Sequence, residues 1–204
     1  MTYGLVLAGG KGSRLYPLSR VNRPKQFLDI INNKTLLHNT LCRISNIIDN
    51  ENLYIITNKE YKSQVAVESK KFISESNIIV EPSNKETAVC TALAAIKLLK
   101  KDKDAVILIF PSDHYIEVSN LFYNILNCAI DISNKKRGLI TIGIKPKNPQ
   151  TGYGYIQTGK LINCGIEFSD LCVYKVERFI EKPSYEIAKD FILNGSYLWN
   201  SGIF

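Results

Sequence analysis

Residues 3–29 read YGLVLAGGKGSRLYPLSRVNRPKQFLD, and this stretch decides the fold. Leu5-Val6-Leu7 is an apolar run that predicts a buried strand. It breaks at Ala8 into Gly9-Gly10-Lys11-Gly12-Ser13-Arg14. Glycine lets backbone N–H groups come close to a ligand, and three glycines in four positions after a strand make a concave row of donors suited to phosphate. Arg14 and Lys25 add two fixed positive charges; arginine forks onto phosphate oxygens, and lysine acts as a point charge. Leu7, Ala8, Gly9, Gly10, Lys11, Gly12, Ser13 and Arg14 therefore form the candidate phosphate loop. Two commoner phosphate motifs do not fit. A Walker A loop needs Gly-Lys-Ser/Thr, whereas the order here is Lys-Gly-Ser. A dinucleotide fingerprint needs a third glycine opening a helix, whereas Leu15 stands there and Pro17 soon follows.

Outward from the loop, the chain alternates. Leu36, Leu37, Leu41, Ile44, Ile47 and Ile48 have helical spacing; Leu53–Thr57 reads as a strand; residues 60–74 form a lysine-rich amphipathic helix; Asn77–Val80 is a strand. Residues 86–100 are helical, Val106–Phe110 is a strand, residues 119–132 are helical, and Leu139–Ile144 is the next strand. This pattern predicts a mainly parallel sheet with helices on both faces. Ligands of such sheets bind beyond the carboxyl ends of the strands, here after Leu7, Val80 and Phe110. From Lys145-Pro146-Lys147-Asn148-Pro149 the style changes to short β-like pieces, Gly152–Gln157 and Leu171–Ile180. The expected division is an α/β core over 1–144 and a smaller mixed-β portion over 145–204 of the same domain.

Composition narrows the classes. Hydrophobic residues make up 45% of the 204 and charged ones 22%, ordinary values for a globular chain. No run of about 18 apolar residues exists, so no transmembrane helix is expected, and Met-Thr-Tyr leads directly into a core strand without a signal peptide. The net charge of +7 invites a nucleic-acid reading. The lysines are scattered, however, with no basic stripe interleaved with aromatics, so no nucleic acid and no membrane are expected as partners. Five cysteines are an odd number, with no Cys-x-x-Cys and no zinc spacing to His38 or His114. Reduced thiols in a cytoplasmic protein follow.

The chemistry-bearing residues sit at strand ends. Asp113, in Pro111-Ser112-Asp113-His114, is a carboxylate just past a buried strand and a candidate Mg2+ ligand, because Mg2+ takes few protein ligands and fills its shell from phosphate and water. Alone, Ser112 and Asp113 would read as helix or turn caps. Glu81, before Pro82, can accept the paired N–H donors of guanine, though a solvated loop acid would look the same. His114 reads as structural rather than as a catalytic base. Gly152-Tyr153-Gly154-Tyr155 could be bulge glycines of a hairpin or a close approach to a sugar hydroxyl. Glu181-Lys182 offers a carboxylate for hydroxyls and an ammonium for a phosphate.

In combination these motifs resemble the sugar-1-phosphate nucleotidyltransferase family. The N-terminal stretch is similar to Gly-Gly-x-Gly-x-Arg-Leu-x-Pro-Leu-Ser followed by Pro-Lys, and Pro24-Lys25-Gln26-Phe27 looks most like the mannose, guanylyl-transferring branch. Pro111-Ser112-Asp113-His114 resembles the family's metal motif, Phe179-Ile180-Glu181-Lys182-Pro183 its sugar-phosphate motif, and Trp199-Asn200-Ser201-Gly202-Ile203-Phe204 its sugar-contacting segment. One departure stands out: the family's Gly-Arg-Asn-Thr-Ala reads Asn84-Lys85-Glu86-Thr87-Ala88 here.

The resemblance implies a Rossmann-like, GT-A-like fold with a sugar-facing subdomain. It implies Mg2+-dependent transfer of a guanylyl group from GTP to mannose 1-phosphate, giving GDP-mannose and pyrophosphate. Arg14, Lys25, Asp113 and Lys182 would be catalytic, and Asp113 the metal ligand. Glu81, Pro82, Thr87 and Ser112 would join the loop in binding the nucleotide; Gly154, Glu181, Lys182 and Asn200 would bind the sugar phosphate. Thymidylyl or uridylyl transfer to glucose 1-phosphate, guanylyl transfer to a heptose phosphate, and a non-catalytic nucleotide-sugar-binding subunit are the alternatives. A homodimer is a candidate assembly. Gly202-Ile203-Phe204 reads as a buried β segment, and the family continues beyond this point with a second metal-binding aspartate, so a C-terminally truncated domain is expected.

Overall fold

The first strand, β1 (Thr2–Leu7), is apolar on both faces and is buried through Tyr3, Leu5 and Val6. A strand of that kind belongs in the interior of a parallel sheet covered on both sides. The computed structural model describes residues 1–10, 12, 15–30, 32–82, 87–163 and 171–204. After β1 come α1 (Leu36–Ile44), β2 (Leu53–Thr57), α2 (Lys62–Ser69), β3 (Ile78–Val80), α3 (Thr87–Leu99) and β4 (Val106–Pro111). The four strands pair in parallel in the order β3-β2-β1-β4. Leu37, Leu41 and Ile44 of α1 and Ala94 and Leu98 of α3 are buried, which supplies the helical side of the core. Thr35 caps α1 by accepting from the His38 N–H at 3.0 Å.

The register lines up the carboxyl ends. Leu7 pairs with Ile56 and with Pro111, and Thr57 pairs with Val80. The ladder runs one residue further: Ala8 N–H donates to Ile56 at 2.8 Å, Glu81 N–H to Thr57 at 2.9 Å, and Ser112 N–H to Leu7 at 3.1 Å. Ala8, Glu81 and Ser112 thus leave the sheet at one edge.

The chain forms two compact units, Met1–Asn120 and Leu121–Phe204. The second holds most of α4 (Asn120–Lys136), with β5 (Gly143–Ile144), β6 (Gly154–Leu161), β7 (Tyr174–Glu181), α5 (Tyr185–Asn194) and β8 (Tyr197–Asn200). Its strands form an antiparallel sheet ordered β5-β8-β6-β7. Tyr155, Ala188, Phe191 and Tyr197 make its core, with the Phe191 and Tyr197 rings stacked at 3.9 Å between centroids. The architecture is the expected one, a parallel α/β sheet plus a smaller β portion.

Three local features differ from expectation. Leu139–Ile144 does not extend the parallel sheet; only Gly143–Ile144 is strand, and it pairs antiparallel with β8. Its neighbours find their backbone partners in the same C-terminal segment: Ile142 N–H donates to Ile203, and Ser201 N–H returns to Ile142. The terminal strand is Tyr197–Asn200 rather than Gly202–Phe204. Ile203 is buried, but its N–H is taken by the Ser201 hydroxyl in a turn. Helix α5 has no counterpart in the sequence reading, although Ser184 caps its start and Gly195, at φ 74°, ends it. Among the described residues no helix is long and apolar enough to cross a membrane.

Candidate functional site

The phosphate loop is held from beneath by side chains. The Ala8 carbonyl accepts from Thr57 Oγ1 at 2.8 Å and from Gln26 Nε2 at 3.1 Å, and the Gly9 carbonyl accepts from Asn58 Nδ2 at 3.3 Å. Thr57, Gln26 and Asn58 are all buried. In a trans peptide the C=O and N–H point in opposite directions. Tying down the carbonyls of Ala8 and Gly9 therefore turns the N–H groups of Gly9 and Gly10 away from these anchors. Gly12 sits at φ 68°, and the Ser19 hydroxyl donates to its carbonyl. A Cβ at Gly12 would collide with Lys25 and lie 3.1 Å from its backbone nitrogen, so loop and lysine are in direct contact.

Lys25 opens a 3-10 turn, Lys25–Phe27, and reaches the next strand end: Nζ lies 2.7 Å from Asp113 Oδ2. The two side chains are 32% and 31% exposed, so solvent and ligands reach the pair. The Asp113 segment is itself fixed by α1. The Thr40 hydroxyl donates to the Ser112 carbonyl at 3.3 Å and accepts from Arg43 Nη2 at 3.1 Å. The same Arg43 nitrogen donates to the His114 carbonyl at 3.4 Å. Burial pushes the His114 imidazole below its ordinary pKa; Asp113 pulls it back up, while Lys25 and Arg43 push further down. The balance favours the neutral ring.

Glu81 is 7% exposed at the end of β3. The Cys90 thiol donates to its Oε2 at 3.1 Å, and a Cβ on Gly9 would lie 2.8 Å from Oε1. Pro82 and Thr87 are exposed, and Ser112 is buried. The first unit thereby brings together Gly9, Gly12 and Lys25 with Glu81 and Asp113. Lys11, Ser13, Arg14 and Asn84-Lys85-Glu86 lie outside the described residues. Among the described residues no cluster of three or more His, Cys, Asp or Glu could hold a metal ion. The Asp113 carboxylate, which faces the Lys25 ammonium, is a hard oxygen donor of the kind a divalent cation takes together with phosphate and water.

The second unit gathers its candidates across three adjacent strands. Gly154 pairs with Glu181, and the neighbouring Tyr155 pairs with Trp199, which brings Asn200 beside Gly154. A Cβ on Gly154 would lie 2.8 Å from Glu181 Oε2 and 3.9 Å from Asn200 Nδ2. Asn200 Oδ1 accepts from Gly202 N–H at 3.0 Å and from the Thr141 hydroxyl at 3.4 Å. That fixes which end of the amide is the donor. Lys182 adopts φ 45°, an uncommon backbone for a non-glycine residue, and its ammonium pairs with Glu181.

Sequence reading missed the supporting polar residues. Thr40, Arg43, Thr57, Asn58, Cys90 and Thr141 carry no motif of their own, and Gln26 stands in Pro24-Lys25-Gln26-Phe27 without a role assigned to it there. For Thr57-Asn58 a signal existed: two polar residues close an otherwise apolar buried strand.

Comparison with known proteins places these observations. Residues 3–204 match the nucleotidyl transferase family. Mannose-1-phosphate guanylyltransferase of Escherichia coli K12 is 38% identical over 205 residues, covering 99% of this chain and 42% of that protein. The chain thus spans well under half the length of that relative. A solved mannose-1-phosphate geranyltransferase from Thermus thermophilus superposes with a TM-score of 0.81 at 33% identity, over 99% of this chain and 56% of the other. A Helicobacter pylori mannose-6-phosphate isomerase does so at 0.75 and 30%, over all of this chain and 69% of the other. Because the match runs from the first strand through the last, the chain belongs to the nucleotidyl transferase family.

Proposed function

We propose that this chain carries out guanylyl transfer from GTP to mannose 1-phosphate, releasing pyrophosphate and GDP-mannose. The observation that carries the reading is the Lys25–Asp113 pair at 2.7 Å beside the glycine loop. It joins two motifs far apart in sequence at one strand edge, where a triphosphate-binding sheet needs both a cation and a metal-ready carboxylate. The identity to mannose-1-phosphate guanylyltransferases supports the choice of base and sugar.

In this reading a sugar-phosphate oxygen forms a bond to the α-phosphorus as the bond from that phosphorus to the bridging oxygen of pyrophosphate breaks. The nucleophile is already an anion, so no strong base is needed, and the protein acts by positioning and by charge. The N–H groups of Gly9 and Gly10 and the side chain of Arg14 hold the triphosphate, with Arg14 on the leaving pyrophosphate. Lys25 neutralises the reacting phosphates. Lys182 takes the sugar 1-phosphate, while Glu181, Asn200 and Gly154 meet the sugar hydroxyls. Glu81 accepts the N1 and N2 donors of guanine, and Leu7, Ala8, Pro82, Thr87 and Ser112 shape the nucleotide pocket. Asp113 would hold Mg2+, which when bound supplies further neutralisation of phosphate charge. The cysteines Cys42, Cys90, Cys128 and Cys172 suit a reducing, cytoplasmic setting.

The test is thermal unfolding with Mg2+ and, separately, GTP, dTTP, UTP, ATP, GDP-mannose, UDP-glucose and dTDP-glucose. A ligand that binds the folded state raises the midpoint in proportion to the logarithm of its concentration over Kd. A rise confined to GTP and GDP-mannose is expected. A rise with dTTP or UTP instead would overturn the base assignment while leaving nucleotidyl transfer in place.

A further inference from the structure

Glu81 is a long side chain, and reading a base requires that its carboxylate not rotate away. Freezing a glutamate costs rotamer entropy unless neighbouring groups hold it. Among the described residues, two neighbours do so here. Cys90, one turn into α3 and 9% exposed, donates its thiol hydrogen to Oε2 at 3.1 Å. On the other side Oε1 lies so close to Gly9 that any added Cβ would be 2.8 Å away. The carboxylate is thus pinned between a thiol and the first glycine of the phosphate loop. Each carboxylate oxygen offers two acceptor sites, so the hydrogen bond from Cys90 does not by itself exhaust Oε2.

We infer that Cys90 is a positioning residue for the nucleobase: its thiol fixes the Glu81 carboxylate against Gly9 and thereby sets the preference for guanine over bases lacking a 2-amino group. This inference rests on the guanine-reading role proposed for Glu81. Guanine presents N1–H and N2–H side by side. Hypoxanthine keeps the first and lacks the second, and adenine presents neither donor on that edge. A site built to satisfy a specific hydrogen-bond pair discriminates strongly against an analogue that leaves it unpaired, provided the acceptor cannot swing aside. Cys90 also begins a buried stripe that continues through Ala94 and Leu98. If it were only core packing, losing the thiol would cost stability and leave base preference untouched.

The experiment is calorimetric titration of the 204-residue chain with GTP, ITP and ATP in Mg2+, for wild type, Cys90→Ala and Cys90→Ser, with melting temperatures in parallel. Wild type binds GTP more tightly than ITP. Cys90→Ala lowers the GTP-to-ITP affinity ratio roughly fivefold, the size of one ordinary hydrogen bond, with ITP affinity little changed. Cys90→Ser, which keeps a donor, restores the ratio. An unchanged ratio in Cys90→Ala, whatever its stability, overturns the role of Cys90 and leaves Glu81 as base reader. A serine variant no better than alanine also overturns it. Equal affinity of the wild type for GTP and ITP overturns the Glu81 reading itself, and the inference about Cys90 with it.

Discussion

Replacing Gly12 by alanine probes the contact between the phosphate loop and the lysine it serves. Two costs add. Gly12 sits at φ 68°, in the left-handed region, where a residue with a Cβ is disfavoured by about 1–2 kcal/mol. The new methyl would also meet Lys25 Cβ and lie 3.1 Å and 3.2 Å from the Lys25 nitrogen and Cα. Those last two are backbone atoms on a turn, so relief requires moving the chain, and overpacking of that kind costs about 1–3 kcal/mol. The sum, about 2–5 kcal/mol, corresponds to a fall in melting temperature on the order of 10 °C for a chain of this size. The same displacement carries Lys25 away from Asp113, so GTP affinity falls as well. Gly10 is the control: a Cβ there meets nothing within 4 Å, and Gly10→Ala should stay within about 1 kcal/mol of wild type in stability. The assay is thermal and urea unfolding of both variants, with GTP titration. A Gly12→Ala protein as stable as Gly10→Ala would refute the claim that the glycine is required by close approach to Lys25.

Four further outcomes are expected. In the full reaction, Lys25→Ala lowers the rate far more than it lowers affinity for GDP-mannose; equal losses in single-turnover and binding measurements would remove it from the transition state. Thr57→Val and Gln26→Leu each weaken GTP binding, and the double variant, which strips both donors from the Ala8 carbonyl, loses about 1 kcal/mol or more of stability beyond the sum, measurable in a double-mutant cycle. Gly154→Ala, whose methyl would press on Glu181 Oε2 at 2.8 Å, weakens mannose 1-phosphate binding and leaves GTP binding alone; equal loss of both would count against separate subsites. Stability declines as pH falls below the ordinary histidine value of 6.5: His38 and His114 are both held down, chiefly by burial, so the unfolded chain takes up protons first. His38→Gln should flatten that slope in unfolding measured from pH 7.5 to 5.5.

The parallel sheet was legible because its strands are buried on both faces. Leu53–Thr57 and Val106–Phe110 are apolar runs too short for helices, and both are strands of the parallel sheet, as the pattern predicts. The second unit was harder to read because its strands are more exposed. Most of β7 is solvent-facing, so apolar periodicity gives little signal, and α5 buries only Ala188 and Phe191. The segment before β5 failed for a different reason. Its apolar residues suggested one more parallel strand, but Ile142 and β5 find their backbone partners in residues 199–203, a long-range partnership that no local window contains.

The same contrast governs the site. The residues proposed to touch a ligand were visible because phosphate, base and sugar each demand particular chemistry: glycine for approach, lysine for charge, carboxylate for N–H pairs. Residues that aim those groups were invisible, because many side chains can tie down a carbonyl or a carboxylate. Threonine, glutamine and asparagine share the restraint of the Ala8 and Gly9 carbonyls, and a cysteine restrains Glu81. The glycine loop alone would be a floppy row of donors, with the entropy of ordering it charged against ligand binding. Buried amides and a hydroxyl on neighbouring elements make it a pre-set one. Substitutions at Gln26, Thr57 and Asn58 should therefore act on affinity through the loop, even though the site can be described without naming them.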